Sequence, residues 1–191
     1  MRLEDGLGRG NYVEVTNGKR LSTSAINFSP QHHAAHENSA AYQLLMPDLP
    51  IKTTEQGVIY LKNTSDQAIV ITYIRVQSTG AADMSTDAYF RVLRNPAYAS
   101  GGELAGPINT MFSSSKDAVA DAYIGESGTP MVLNDTSEEM DRNYQANSMQ
   151  CYSKEGSIIL ETGNSIAITH KGSSTAGLVN VRLSFYYADH G

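Results

Sequence analysis

At 191 residues the chain is long enough to bury one sizeable core and too short for two ample ones, so a single folded domain is expected. Its formal charge of −6 supplies no basic stripe to neutralise the phosphates of DNA or RNA and no attraction to an anionic membrane, and no apolar run approaches the roughly 18 residues of a spanning helix. Cys151 is the only cysteine, which excludes an internal disulfide framework and a multi-thiolate zinc site.

Residues 1–40 are polar and uneven, with too few large apolar side chains to build a core, and read as an extended N-terminal arm. The opening Met1-Arg2-Leu3-Glu4-Asp5-Gly6 lacks the apolar stretch of a secretory leader, so synthesis without export, in the cytoplasm, is expected. Gly6, Gly8 and Gly10 have the spacing of a phosphate-binding loop but lack the strand before and the helix after that such a loop needs. Tyr12–Val15 and Arg20–Thr23 flank Asn17-Gly18, whose tolerance of positive φ suits a tight hairpin turn. Tyr12 and Val13 are the arm residues expected to bury themselves against a neighbouring chain. His32, His33 and His36, with Glu37, form the one cluster with transition-metal character. A zinc protease would need a glutamate between its histidines, and imidazoles in a polar arm are ordinarily solvated. No metal or other cofactor is expected.

From residue 41 to 191 apolar residues recur at strand spacing between turn signals, and this stretch is expected to form the β-sandwich body. Gly57–Asn63 alternates as a strand, and Thr64-Ser65-Asp66 reads as the turn of a hairpin into a second strand, Gln67–Gln77. That second strand carries large apolar side chains on both faces, so both should be covered, and Ile69, Ile71 and Tyr73 are expected to meet a partner subunit. Tyr89–Leu93 is a further strand, ended at Asn95-Pro96 because proline lacks the amide donor. Asp117–Ile124 suits a short helix or a strand equally. Strands are expected at Asn147–Tyr152, Ser157–Glu161, Ser165–His170 and Leu178–Tyr187. In the last, Val179, Val181, Leu183, Phe185 and Tyr187 share one core face. The pattern predicts an all-β, antiparallel, jelly-roll-like β-sandwich.

The chemistry-bearing motifs are sparse. Ser113-x-x-Lys116 has the spacing of penicillin-recognising enzymes without their companion elements, and reads as a polar loop. Cys151, inside a strand with no histidine near it in sequence, reads as a buried thiol. Asp135, Glu138, Glu139 and Asp141 crowd one loop and offer oxygen ligands for calcium. Their spacing matches no calcium-loop pattern, and Asp117 to Asp141 contains seven acids and no base, so a solvated negative surface is the simpler account. No carboxylate pair is singled out for glycoside hydrolysis, and no catalytic residue is expected.

Tyr60-Leu61-Lys62-Asn63-Thr64-Ser65 leading into Ile69-Val70-Ile71 resembles a recurring hairpin of small β-rich virion proteins of tailed bacteriophages. Pro107-Ile108-Asn109-Thr110-Met111-Phe112, the following Ser113-Ser114-Ser115-Lys116 and Ala118–Tyr123, and the ending Val181–Tyr187, are similar to segments of the same proteins. The resemblance runs over residues 42–187. It implies a non-enzymatic structural protein made in the host cytoplasm and resident in the virion. Its implied role is capsid decoration, as a homo-oligomer with a trimer favoured, contacting the major capsid protein or other virion proteins. Tail or fibre attachment is the alternative within that class. A glycan-binding or glycan-hydrolysing jelly roll is the alternative outside it.

Overall fold

The structure, a computed structural model, describes residues 2–4, 12–15, 21–22, 34–35, 38–79, 88–134, 137–144 and 150–188, with the side chains of the strands before residue 23 and of 150–156 outside that description. Strands are numbered along the chain. In the arm, β1 (Arg2–Glu4), β2 (Tyr12–Val15) and β3 (Leu21–Ser22) form a small antiparallel sheet, and β2 pairs with β3 as the hairpin reading requires.

The body is an antiparallel sandwich of two larger sheets. The first has the order β10 (Ile108–Asn109), β4 (Ala41–Pro50), β16 (Leu178–Tyr187), β6 (Ile69–Thr79), β14 (Gln150–Leu160). The second runs β13 (Glu138–Tyr144), β7 (Tyr89–Arg94), β15 (Ser165–Lys171), β5 (Gln56–Asn63), β11 (Ala120–Ile124), β9 (Glu103–Leu104). Between them lies one apolar core, built from Tyr42, Leu44, Ile69, Ile71, Leu183 and Phe185 on one side and Ile59, Leu61, Phe90, Val92, Ile166 and Ile168 on the other. A separate two-stranded piece pairs β8 (Ala97–Ser100) with β12 (Val132–Asn134).

Gly57–Asn63 and the strand after it do not form the expected hairpin. β5 lies in the second sheet and β6 in the first, so Thr64-Ser65-Asp66 arches over the edge of the core instead of folding a strand back on its neighbour. The pin of that arch is Asn63, whose side chain is fully buried. Its Nδ2 donates to the carbonyls of Gln67 and Leu160, each at 2.8 Å, and its Oδ1 accepts from the Ser65 amide at 3.0 Å and the Ser65 hydroxyl at 2.8 Å. An asparagine fits because it offers two donors and an acceptor on one short side chain.

A bulge accounts for the apolar residues on what had read as two faces of β6. Phe185 faces Ile71 while Ser184 faces Tyr73, leaving Thr72 as an extra residue that reverses the alternation. Ile69, Ile71, Ile74 and Val76 therefore all point into the core, and Thr72 Oγ1 donates to the Ser184 carbonyl at 3.2 Å. β4 contains a second bulge at Asp48, held at φ 51° with its amide donating to Asn180 Oδ1 at 2.9 Å. The two strands expected at Asn147–Tyr152 and Ser157–Glu161 are one, β14, broken by a register shift between Ser153 and Ile158. Asp117–Ile124 resolves as strand, its end pairing with β5 as β11.

Candidate functional site

Two surfaces stand out, one on the outer face of the second sheet and one on the flank of the sandwich. On the outer face, Leu93, Ala167, Tyr60 and Tyr123 lie side by side across four strands, and Met131, Tyr98 and Leu133 from the β8–β12 piece pack on them. Tyr98 stacks on Tyr123 with centroids 3.9 Å apart, and its hydroxyl donates to the Gly101 carbonyl at 2.8 Å. Gly101 sits at φ 74°, and a Cβ there would come within 2.1 Å of the Pro130 carbonyl oxygen, so only glycine closes this turn.

Beside that cover a cleft of about 440 Å³ opens, with Lys52, Glu55, Arg91, Met131, Asn134 and Thr169 in its walls. Its charges are joined in a chain. Glu55 accepts from Arg91 Nε at 2.7 Å, from the Tyr89 hydroxyl at 3.3 Å and from the Thr169 hydroxyl. Arg91 Nη1 reaches Glu139 at 3.3 Å, and Arg142 binds the same carboxylate through two contacts of 2.7 and 2.6 Å while its guanidinium lies 4.7 Å over the Tyr89 ring. The hydrogen bonds from Arg142, reinforced by its charge and that of Arg91, hold the Glu139 carboxyl below its ordinary value. The Glu139 carboxylate, held ionised in this way, is a poor proton donor, whereas a glycosidase acid needs its pKa raised.

The flank is closed by a strap. From β9 at the edge of the second sheet the chain crosses to β10 at the edge of the first, then returns to β11. It is anchored from inside: Tyr42 Oη donates to the Asp117 carbonyl at 3.2 Å, Thr110 N to the Ala41 carbonyl at 2.9 Å, and Asn109 Nδ2 to the Ser39 carbonyl at 2.7 Å. Its outer side carries large apolar side chains among polar ones such as Glu103, Ser113 and Lys116: Leu104 is 71% exposed, Ile108 66%, Val119 55%, and Phe112 105%. A phenyl ring with no intramolecular cover contributes nothing to the stability of this chain by burial.

The residues singled out from sequence fare unevenly. His32, His33, His36 and Asp135 lie outside the described residues, as do Gly6, Gly8 and Gly10. Glu138, Glu139 and Asp141 stand on strand β13 rather than in a loop. Glu138 pairs with Arg94 at 3.6 Å and Glu139 with Arg91 and Arg142, so cations from β7 and β13 offset the expected negative surface. Among the described residues no three His, Cys, Asp or Glu side chains converge as metal ligands. Lys116 Nζ donates to the Asn38 carbonyl at 3.3 Å instead of pairing with Ser113. Cys151 lies in β14 opposite Arg75, its side chain outside the description, as are those of Tyr12 and Val13. Ile69 and Ile71, expected to meet a partner, are fully buried in the chain's own core, because the Thr72 bulge turns both halves of β6 inward. Tyr73 is half-buried on the outer face. Sequence reasoning missed the apolar strap, although its signal, Ile108 and Phe112 in a Ser/Gly-rich loop, was visible.

No helix among the described residues is long and apolar enough to cross a membrane. A scan against protein-family models and a search of curated proteins return no match for this chain.

Proposed function

We propose that this chain is a non-enzymatic structural protein of a tailed-phage virion, a capsid decoration protein that self-associates, as a trimer, and seats on the major capsid protein. The observation that carries the reading is the strap. Leu104, Ile108, Phe112 and Val119 present a run of exposed apolar side chains between two sheet edges, and both edge strands, β9 and β10, are only two residues long. Such a surface is built to be covered. Further support comes from the strand order. With the minor strands set aside, the eight long strands β4, β5, β6, β7, β13, β14, β15 and β16 follow the order 1-8-3-6 in one sheet and 2-7-4-5 in the other. That order supports a jelly-roll reading, an architecture recurrent in viral capsid proteins.

The test is sedimentation of the full chain and its Phe112→Asp and Ile108→Asp variants, followed by binding to heads stripped of decoration. The wild type is expected to sediment as one closed oligomer. Each aspartate should weaken association at least tenfold, as removal of about 1.4 kcal/mol of apolar contact does. Thermal stability of the dissociated chain should be unchanged. A wild type that stays monomeric at high concentration and ignores heads overturns the reading.

A further inference from the structure

We infer that Arg75 and Arg182, on the outer face of the first sheet, form a clamp that binds an oxyanion, a carboxylate or a phosphate. The inference does not depend on the virion reading. The two residues stand directly opposite each other on neighbouring interior strands, β6 and β16, and Leu45 stands opposite Arg182 on β4. Like charges in cross-strand register repel, and a protein of net charge −6 has acids enough to separate or neutralise them. It does neither. Among the described residues the ion pairs join Arg91, Arg94 and Arg142 to Glu55, Glu138 and Glu139, and none includes Arg75 or Arg182.

The hydrogen bonding around the pair points the same way. Arg75 Nη2 donates to Gln77 Oε1 at 3.1 Å, and Asn180 Oδ1 accepts from the Asp48 amide at 2.9 Å. Each amide oxygen thus already accepts one hydrogen bond, and Gln77 and Asn180 each add an NH2 group with two donors. Arg182 Nε is buried with no hydrogen-bond partner. All four side chains line one cleft of about 290 Å³, together with Leu45 and Val181. A recess walled by two guanidiniums and two amides with donors to spare fits a ligand that only accepts. Oxyanions are such ligands, and the planar guanidinium fork matches them in pairs of hydrogen bonds.

The experiment is thermal unfolding of the full chain in sodium phosphate and in citrate, each against sodium chloride of equal ionic strength. At tenfold the dissociation constant the bound ion should raise Tm by about 4 °C over chloride, with saturation. Arg75→Gln and Arg182→Gln should remove the response. Leu45→Glu, whose carboxylate would stand opposite Arg182, should raise Tm in chloride and abolish the response to either ion. It keeps the proposal testable if an arginine variant fails to fold. A response to phosphate alone assigns the clamp to a phosphoryl group, and one to citrate alone to a carboxylate. Equal behaviour in chloride, phosphate and citrate overturns the proposal, as does a response that survives in Leu45→Glu.

Discussion

Replacing Asn63 by alanine is expected to lower the free energy of unfolding by about 3–5 kcal/mol, a large part of the stability of a domain of ordinary marginality. The side chain satisfies the carbonyls of Gln67 and Leu160 and the amide of Ser65, and it is fully buried, so water does not replace it. Each buried polar group left unsatisfied costs about 1–3 kcal/mol, and the truncation strands several at once. Asn63→Asp retains the acceptor but removes both donors, setting a carboxylate against two carbonyls, and should be no better at neutral pH. Ser65→Ala, losing one hydroxyl that bridges Asn63 and Gln67, should cost only about 1 kcal/mol. Urea titrations followed by far-ultraviolet circular dichroism measure all three. If Asn63→Ala costs under about 1 kcal/mol, the arch is held by the backbone bonds Asn63 N to Asn164 O and Gly163 N to Asn63 O instead.

The second large effect concerns acid. His170 lies on the inner face of β15, fully buried, with its ring centroid 4.5 Å from that of Phe90. Burial pushes its pKa down to about 4, from the ordinary value of 6.5 that the unfolded chain retains. Below pH 6.5 the unfolded state therefore binds a proton that the folded state refuses, and stability falls as pH drops, levelling off beneath about 4. The total loss from this one residue is about 3 kcal/mol. Carboxylates held ionised by arginines, such as Glu139, add their own loss at lower pH, so the informative quantity is a difference. The wild type minus His170→Leu should show the slope between pH 7 and 4, since the leucine chain keeps the carboxylates and lacks the imidazole. Parallel curves for the two chains would exclude the histidine as the cause.

Much of the sandwich is legible in the sequence wherever alternation is unbroken. The last strand, with Val179, Val181, Leu183, Phe185 and Tyr187 inward, follows its expected pattern throughout. What sequence conceals is any place where one extra residue reverses the faces. On β6 the Thr72 bulge makes a single core face look like two covered faces, and that illusion led to Ile69 and Ile71 as partner contacts. On β4, Pro47 and the left-handed Asp48 interrupt the pattern, so Tyr42, Leu44, Met46 and Leu49 do not read as one strand. The arch at Thr64-Ser65-Asp66 is hidden for another reason. Turn residues fix how sharply a chain bends, and nothing in them says which sheet receives the next strand. The surfaces were less legible than the core. Cross-strand neighbours such as Arg75 and Arg182 are distant along the chain, and only register brings them together.

The pairing of β4 with β16 joins the first long strand of the body to the last. On the ribosome, Ala41–Pro50 emerges before its partner and waits while the chain grows to Leu178–Tyr187. At elongation rates of about 5–20 residues per second that wait lasts roughly 7–30 s. Throughout it β6, which also takes β16 as a neighbour, has an open edge, and the core side chains of the first sheet have no completed layer to enter. Completion of the first sheet is therefore deferred until Leu178–Tyr187 has emerged, and in a long-range topology of this kind folding is slow even then. A nascent chain with so much apolar surface in waiting meets other nascent chains of its kind on the same message. Keeping those unfinished chains apart is thus a demand that the strand order, and not the stability of the finished sandwich, places on synthesis.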